Sequence, residues 1–571
     1  MRWSTMSERG DLIRVARGEA PADLVLRNAR IVNTVAGAIE HGDVAICGGF
    51  IAGVGHYKDA RECVDLDGDF LLPGLIDGHT HIESSMLHPA RYAEAVVPRG
   101  TTTVVTDLHE IANVCGIEGI EFAIRWSHRL PLDMRFMAPS CVPATSLETS
   151  GAELGPSAIR ELLKRPEIIG LGEVMNYPGV LSGAQDMLGK LEAARGKPID
   201  GHAPGLRGAD LNAYLAAGIM SDHECTTREE AEERLHKGMY LMVREGSSEK
   251  NLEALLPAVT DDTFHRCMFV VDDRSAADLA REGDIDHVVR RAIALGMDPI
   301  RAIQLATINP AQYFRLFDRG SISPGQIAHV VSVRDLHNFV VDRVYHRGTL
   351  VARGGRPLFS SSLDSSELTN TMHLAPLASG ALRMPHTLDA FPVIELVPGQ
   401  IVTRKRILTP TVNDGVLVSD TARDLLKLVV VERHRGTGNI GKGFVTGFGL
   451  KRGALASSVG HDSHNVICVG ATDSDMLGAI ETLRRIQGGL VVFADGEAKA
   501  TVPLPIAGLL SPEPLDRVIE ALVELEEAAR QLGVRPQSPF SLLSFLALPV
   551  IPELRVTDLG VVDVAEFRVV A

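Results

Sequence analysis

From about residue 71 to about residue 315 the chain repeats one pattern: a run of four to seven apolar residues, a polar loop, and a segment with the apolar spacing of a short amphipathic helix. The runs fall at 71–76, 102–106, 135–139, 168–173, 198–201, 219–222, 240–243 and 267–271, eight in all. Helix-period segments at 89–98, 156–164, 184–195, 210–217, 228–237 and 252–259 lie between them. Strands separated by helices must re-enter a sheet in the same direction, so this pattern specifies a parallel sheet. Eight such units in roughly 245 residues fit a single α/β fold, the (β/α)8 TIM-like barrel. A doubly wound sheet is the competing arrangement, but no G-x-G-x-x-G follows the first run.

The flanks differ in texture. Residues 23–66 read as short strands with β-branched residues in alternation and Gly or Asp at the turns, and 320–355 returns to that texture. The expected organisation is therefore 1–66 as an N-terminal segment and first part of a small β unit, 67–319 as the barrel, and 320–355 as the second part of that β unit. The Ser-rich stretch 356–382 reads as a linker, and 383–571 as a C-terminal α/β domain with strands in LVVVER, NVICVG and GLVVFAD and helices at 475–487 and 514–532.

Composition limits the partners. With 57 Lys and Arg against 73 Asp and Glu, the net charge of −16 repels phosphate backbones and anionic membranes, so neither nucleic acid nor membrane is expected. The seven cysteines are scattered and never form a Cys-x-x-Cys pair, which argues against a disulfide framework or zinc ribbon. No apolar run reaches 18 residues and the first 20 lack a signal-like apolar region, so a reduced cytoplasmic protein is the expectation.

In a barrel, chemistry collects where strands end. The first run closes in LIDGHTH, and His79 and His81, two apart on extended backbone, face one side. Two imidazoles on one face suit a divalent transition metal. The other runs end in DLHE with His109 and Glu110, GLGEV with Glu173, DGH with His202, SDHE with His223, and VVDDR with Asp272 and Asp273. Any one of these reads equally well as a satisfied core or loop residue. Their recurrence at successive strand ends does not, because buried carboxylates carry a desolvation cost that cations would offset. Two zinc designs are absent: no His-x-Glu is followed by Pro-Cys-x-x-Cys, and His109-Glu110 lacks the second histidine of H-E-x-x-H.

This constellation resembles the amidohydrolase superfamily over residues 23–355. The segments PGLIDGHTHIESSM, DLHEIANV, APSCVPAT, GLGEVMN, GHAPGL and SDHE, with GFVTGFG, HDSHN, GGLVV and VPLPIAGLLS further on, resemble the bacterial adenine deaminases through the C-terminal domain. Asp107-Leu108-His109-Glu110 stands where the family has Asp-Pro-His-Glu, and PGQIAHVVSV lacks the acidic residue usual after the barrel. The resemblance implies a β-sandwich built from both ends of the barrel segment and hydrolytic deamination of adenine to hypoxanthine and ammonia by a metal-activated hydroxide. It implies two divalent ions, Mn²⁺ or Fe²⁺ ahead of Zn²⁺, and a homodimer or tetramer. By position, His79, His81 and Asp272 hold one ion and His202 and His223 the second. Glu110 is the preferred bridging or second-ion carboxylate, with Glu173 as the alternative. Glu173, protonated, would donate to the purine N1, and Asp272 would relay the proton of water to the departing amine. Ser84, Ser85, Asp273, His461 and His464 are candidate substrate contacts, the histidines of HDSHN lining or gating the barrel mouth. Competing readings are an amidohydrolase acting on a cyclic amide or another base, and a non-catalytic assembly protein of the same fold.

Overall fold

The structure is a computed structural model, and it describes residues 6–571 apart from 364, 365, 388 and 399. The first five residues of the N-terminal segment and two of the expected linker thus lie outside the described residues.

The long strand Ala22–Asn33 pairs antiparallel with Ala38–Cys47, and its other edge takes Ala60–Asp65 and Phe70–Pro73 in parallel. Val330–Val333 then pairs antiparallel with Phe70–Pro73, followed by Val341–His346 and Thr349–Arg353. Segments before and after the central region thereby share one nine-stranded sheet. The sequence run at 71–76 is divided: Phe70–Pro73 joins this sheet, and Leu75–His81 begins the central parallel wall. Gly74 makes the break, since a Cβ there would sit 2.1 Å from Thr102 Oγ1.

The central wall is a TIM-like parallel arrangement. Leu75–His81, Thr101–Asp107, Asp133–Ala138, Ile168–Val174 and Ile199–Gly201 are hydrogen-bonded in sequence order. Ser221–Asp222, Tyr240–Arg244 and Cys267–Val270 form a second parallel group. Two features join the groups. Asp272–Asp273, just past the eighth run, pairs with Thr80 and His81 of the first strand, and Met220 N donates to Ile199 O at 2.9 Å. Asp272 adopts φ +58°, the left-handed region, at that junction. The interior is filled by Ile76, Val105, Met137, Met242, Met268 and Val270, with Tyr313 and Phe314 beneath. Helices begin where capping residues permit: Thr227 and Glu230 form a reciprocal capping box that starts Arg228–His236 soon after His223.

At the opposite end from the histidine-rich loops, Asp133 collects Arg319 at 2.8 Å, His346 Nε2 at 3.1 Å, His329 Nε2 at 3.3 Å and Arg347 at 3.5 Å. Arg347 N donates to His329 Nδ1 at 3.2 Å, which leaves the proton of a neutral ring on Nε2, facing Asp133. This is an ionic hub joining the barrel to the nine-stranded sheet.

The C-terminal region is built on an eight-stranded mixed sheet whose centre is Ile440–Thr446, Leu425–Val431, Val466–Gly470 and Ala454–Ser457. Asp473–Ile486 packs on one face, and Leu515–Gln531 lies between the two large cores, with Val518 in the barrel's and Leu525 and Ala529 in the C-terminal one. The described part of 358–382 contains no helix or strand yet is fixed in place: Trp126 Nε1 donates to Glu367 at 2.8 Å, and Met372 and Leu382 are buried. Among the described residues no helix is long and apolar enough to cross a membrane.

Candidate metal centre and substrate pocket

His79 and His81 end the first strand buried, as their two-residue spacing requires. His81 Nδ1 lies 3.0 Å from the carbonyl of Asp107, which can only accept, so Nδ1 carries hydrogen and Nε2 is left facing Glu173 Oε1 at 3.0 Å and Asp272 Oδ1 at 3.1 Å. A lone pair aimed at two carboxylate oxygens needs a cation, either a proton or a metal, between them. His79 makes the same demand: neither of its buried ring nitrogens has a hydrogen-bond partner, and Nε2 is 3.5 Å from Asp272 Oδ1.

Glu173, at the end of the fourth strand, is the centre of the group. Its oxygens stand 2.8 Å from His202 Nδ1, 3.3 Å from His223 Nε2 and 4.0 Å from His79 Nε2, in addition to His81. His79 and His223 stack with centroids 4.4 Å apart, a geometry suited to neutral ligand rings and unfavourable for two imidazolium ions. The donor set is imidazole and carboxylate with no thiolate, which suits Mn²⁺, Fe²⁺ or Zn²⁺. The orphaned nitrogens and the crowding around Glu173 fit such ions.

Burial opposes the charge on Glu173, but His81, His202 and His223 override it and hold the carboxyl well below the usual range. Asp272 is likewise buried yet held well below it by His223, His79, His81 and Arg244, whose guanidinium is 2.9 Å from Asp272 Oδ2. Arg244 also binds Glu224, which approaches His223 at 3.4 Å and His202 at 3.7 Å. Burial pushes Glu83 up to about 7, and its Oε2 has no hydrogen-bond partner.

A cavity of about 130 Å³, lined by Asp273 next to Asp272 but by none of the six residues gathered at Glu173, is shared by two parts of the chain. The barrel contributes Glu83, Ser84, Glu110 and Asp273, and the C-terminal domain contributes Val459, His461, His464, Leu509 and Phe545. Ser84 donates to Asp273 inside it, while Ser85 is turned into its own 3-10 turn, donating to Ile82 O at 2.6 Å, and does not line the cavity. His461 stacks on Phe545 at 4.6 Å. The two halves are tied at the rim, where Thr149 donates from N and Oγ1 to Asp558 at 2.8 and 2.7 Å and Asn465 donates to Thr149 O at 2.7 Å.

The structure thus brings together His79, His81, Glu173, His202, His223 and Asp272. Glu110 stands apart, its carboxylate met by His461 and His464, and Ser84, Asp273, His461 and His464 face the cavity. Sequence reasoning missed Glu83, Glu224 and Arg244. Glu83 sits in HIESS two residues past His81, an available signal, whereas Arg244 follows an ordinary apolar strand.

Sequence comparison agrees with this architecture. The amidohydrolase family profile matches residues 70–351, and the adenine deaminase C-terminal domain profile matches 400–568. An adenine deaminase of Dehalococcoides mccartyi is 56% identical over 560 residues, 98% of each chain. Adenine deaminase 2 of Carboxydothermus hydrogenoformans is 50% identical over 562 residues, again 98% of each. An adenine deaminase of Methanothrix thermoacetophila is 48% identical over 562 residues, 98% of each. With both profiles and near-complete coverage in agreement, the chain belongs to the adenine deaminase family of metal-dependent amidohydrolases.

Proposed function

We propose that the eight parallel runs form one (β/α)8 barrel and that this chain hydrolyses adenine to hypoxanthine and ammonia at its rim. His79, His81 and Asp272 would hold one divalent ion and His202 and His223 a second, with Glu173 between them. The observation that carries the reading is the position of Glu173, in reach of four imidazoles from three other strand ends. When bound, such ions make hydroxide available at neutral pH by lowering the pKa of water. Manganese or iron is the first expectation and zinc the second.

The chain's own groups supply the remaining needs of the reaction. Adenine C6 is a poor electrophile until N1 is protonated, and ammonia leaves only with an added proton. Asp272 is suited to take the proton from water and return it to the exocyclic nitrogen, because Arg244 and the imidazoles keep it ionised. Glu173, taken up as a metal ligand, would have no proton to give to N1. That role passes to Glu83, which is in the cavity wall and keeps its proton up to about pH 7. The Ser84–Asp273 pair offers a polar edge for the purine, and Phe545 and Leu509 offer apolar walls.

The test is purified full-length enzyme grown with manganese, assayed by ultraviolet detection of hypoxanthine and by ammonia release. Turnover of adenine but not of guanine, cytosine or dihydropyrimidines is expected; turnover of a dihydropyrimidine instead would overturn the substrate. Glu83→Gln should lower kcat by about 10²–10⁴-fold, the usual worth of a general acid, with metal content unchanged.

A further inference from the structure

The C-terminal wall of the cavity holds a ring nitrogen that the reaction described above does not use. His461 lies on the loop between Ala454–Ser457 and Val466–Gly470, and its Nδ1 meets Glu110 Oε1 in a hydrogen bond that crosses from one domain to the other. A carboxylate oxygen only accepts, so Nδ1 carries the hydrogen and donates it. Among the described residues Nε2 takes no hydrogen bond, and it is not sealed away as both ring nitrogens of His79 are. Phe545 stacks on the ring with centroids 4.6 Å apart and planes 18° apart, which fixes the plane of the imidazole. His464 is spent differently. Its Nδ1 accepts from Gly460 N at 3.2 Å, its Nε2 is turned to Glu110 Oε2, and its side chain is 2% exposed against 15% for His461. Of the two histidines, only His461 has an atom to offer the cavity.

The loop that carries it is braced. Arg433 donates to the carbonyl of His464 and, at 3.1 Å, to that of Ala507, while His434 Nε2 donates to Ser463 O at 2.6 Å. An imidazole held by a carboxylate at one nitrogen, by an aromatic face and by a fixed backbone is preorganised to meet a ligand at the other nitrogen. On the barrel side of the cavity stand Glu83, two residues past His81, and Asp273, next to Asp272, so that side borders the grouped histidines and carboxylates. The deamination reaction turns C6 and N1 of adenine toward it, at the proton of Glu83. What the base then presents to the C-terminal wall is N3 and the five-membered ring with N7 and N9. That edge carries both lone pairs and an N–H, so Nε2 finds a partner there whichever number of protons its ring holds.

We propose that His461 is a specificity-determining contact of the deamination site, hydrogen-bonded through Nε2 to a purine ring nitrogen remote from C6, with Glu110 as its positioning residue across the domain boundary; this rests on the adenine reading given above. The experiment measures kcat and KM for adenine, and Ki for 3-deaza-, 7-deaza- and 9-deazaadenine, in the full-length Mn²⁺-loaded enzyme. His461→Ala is expected to raise KM about tenfold with kcat and metal content little changed, the loss of one hydrogen bond made alike in ground and transition states. Each analogue replaces one ring nitrogen by C–H, and the one lacking the partner of His461 should bind wild type and variant equally, which a merely structural defect would not produce. Glu110→Gln should show part of the same loss, and the double variant should be no worse than His461→Ala alone; additive losses would remove Glu110 from this role. An unchanged KM, or equal weakening of adenine and all three analogues, overturns the proposal. A wild-type crystal with hypoxanthine bound tests it whether or not the variants fold: His461 Nε2 is expected about 3 Å from a ring nitrogen, and a separation above about 4 Å from all of them is the contrary result. Adenine turnover indifferent to His461 sinks this proposal alone, whereas wild-type enzyme inert toward adenine sinks the earlier reading with it.

Discussion

Glu173→Gln separates the two carboxylates between which sequence alone could not choose. Gln keeps the size of Glu and part of its hydrogen bonding, so the change removes little except one negative charge. That charge stands 3.0 Å from His81 Nε2, 2.8 Å from His202 Nδ1 and 3.3 Å from His223 Nε2, nitrogens that would hold the two proposed ions. At an effective dielectric near 20, unit charges about 4 Å apart interact by about 4 kcal/mol, and a doubly charged ion loses more. At about 1.4 kcal/mol per factor of ten, each ion should bind at least a thousandfold more weakly. Gel-filtered Glu173→Gln enzyme is therefore expected to lose the ion pair, measured per subunit against wild type, and to release ammonia from adenine at least a thousandfold more slowly. Glu110→Gln is expected to keep the pair, since Glu110 is engaged by His461 and His464 instead. Glu173→Gln enzyme with the pair intact and near-normal turnover would refute the central place given to this residue.

Three other changes test separate parts of the structure. Arg244→Met leaves buried Asp272 and Glu224 without their guanidinium, at a cost of about 3–5 kcal/mol in stability. In the proposed reaction Asp272 works ionised, so removing the cation should raise its pKa and move the acidic limb of the kcat/KM profile to higher pH; an unmoved limb would count against the proton relay. Ser84→Ala deprives Asp273 of its donor and should raise KM for adenine about tenfold or more, the worth of a hydrogen bond to a charged group, with kcat less affected. In the hub below the barrel, burial, helped by His346 and Arg319, pushes His329 down to about 4 against the pull of Asp133. The unfolded chain takes up this proton near pH 6.5 and the folded one only near pH 4, so stability should fall by about 3 kcal/mol as pH drops through that window. Urea unfolding at pH 7 and pH 4.5 should show a smaller drop in His329→Gln than in wild type, and equal drops would be the contrary result.

The parallel wall was legible because its periodicity is dictated by burial: Thr101–Asp107 and Cys267–Val270 are buried at every position, and an interior strand has no polar face to blur the pattern. The six grouped residues were legible for the related reason that strand ends are where such a wall meets its cavity. What escaped notice lies off the regular backbone or depends on long-range pairing. Glu83 sits in a 3-10 turn, where alternation no longer tells which way a side chain faces. Arg244 gains meaning only from Asp272 and Glu224, on neighbouring strands. Glu110 and Glu173 end equally plausible runs, and only the arrival of His461 and His464, some 350 positions on in the chain, draws Glu110 away. Strands such as Thr403–Leu408 were hidden by exposure, since that edge strand carries four charged or polar residues in six.

The rim at which Thr149 meets Asp558 has a bearing on how such an enzyme can diversify. The barrel side of the adjoining cavity, with Glu83 and Ser84, and its C-terminal side, with His461 and Phe545, are encoded by stretches of gene separated by the whole crossing segment. Changes on the C-terminal side can therefore reshape the cavity while leaving the grouped histidines and carboxylates of the barrel in place, so long as the two halves still close on one another.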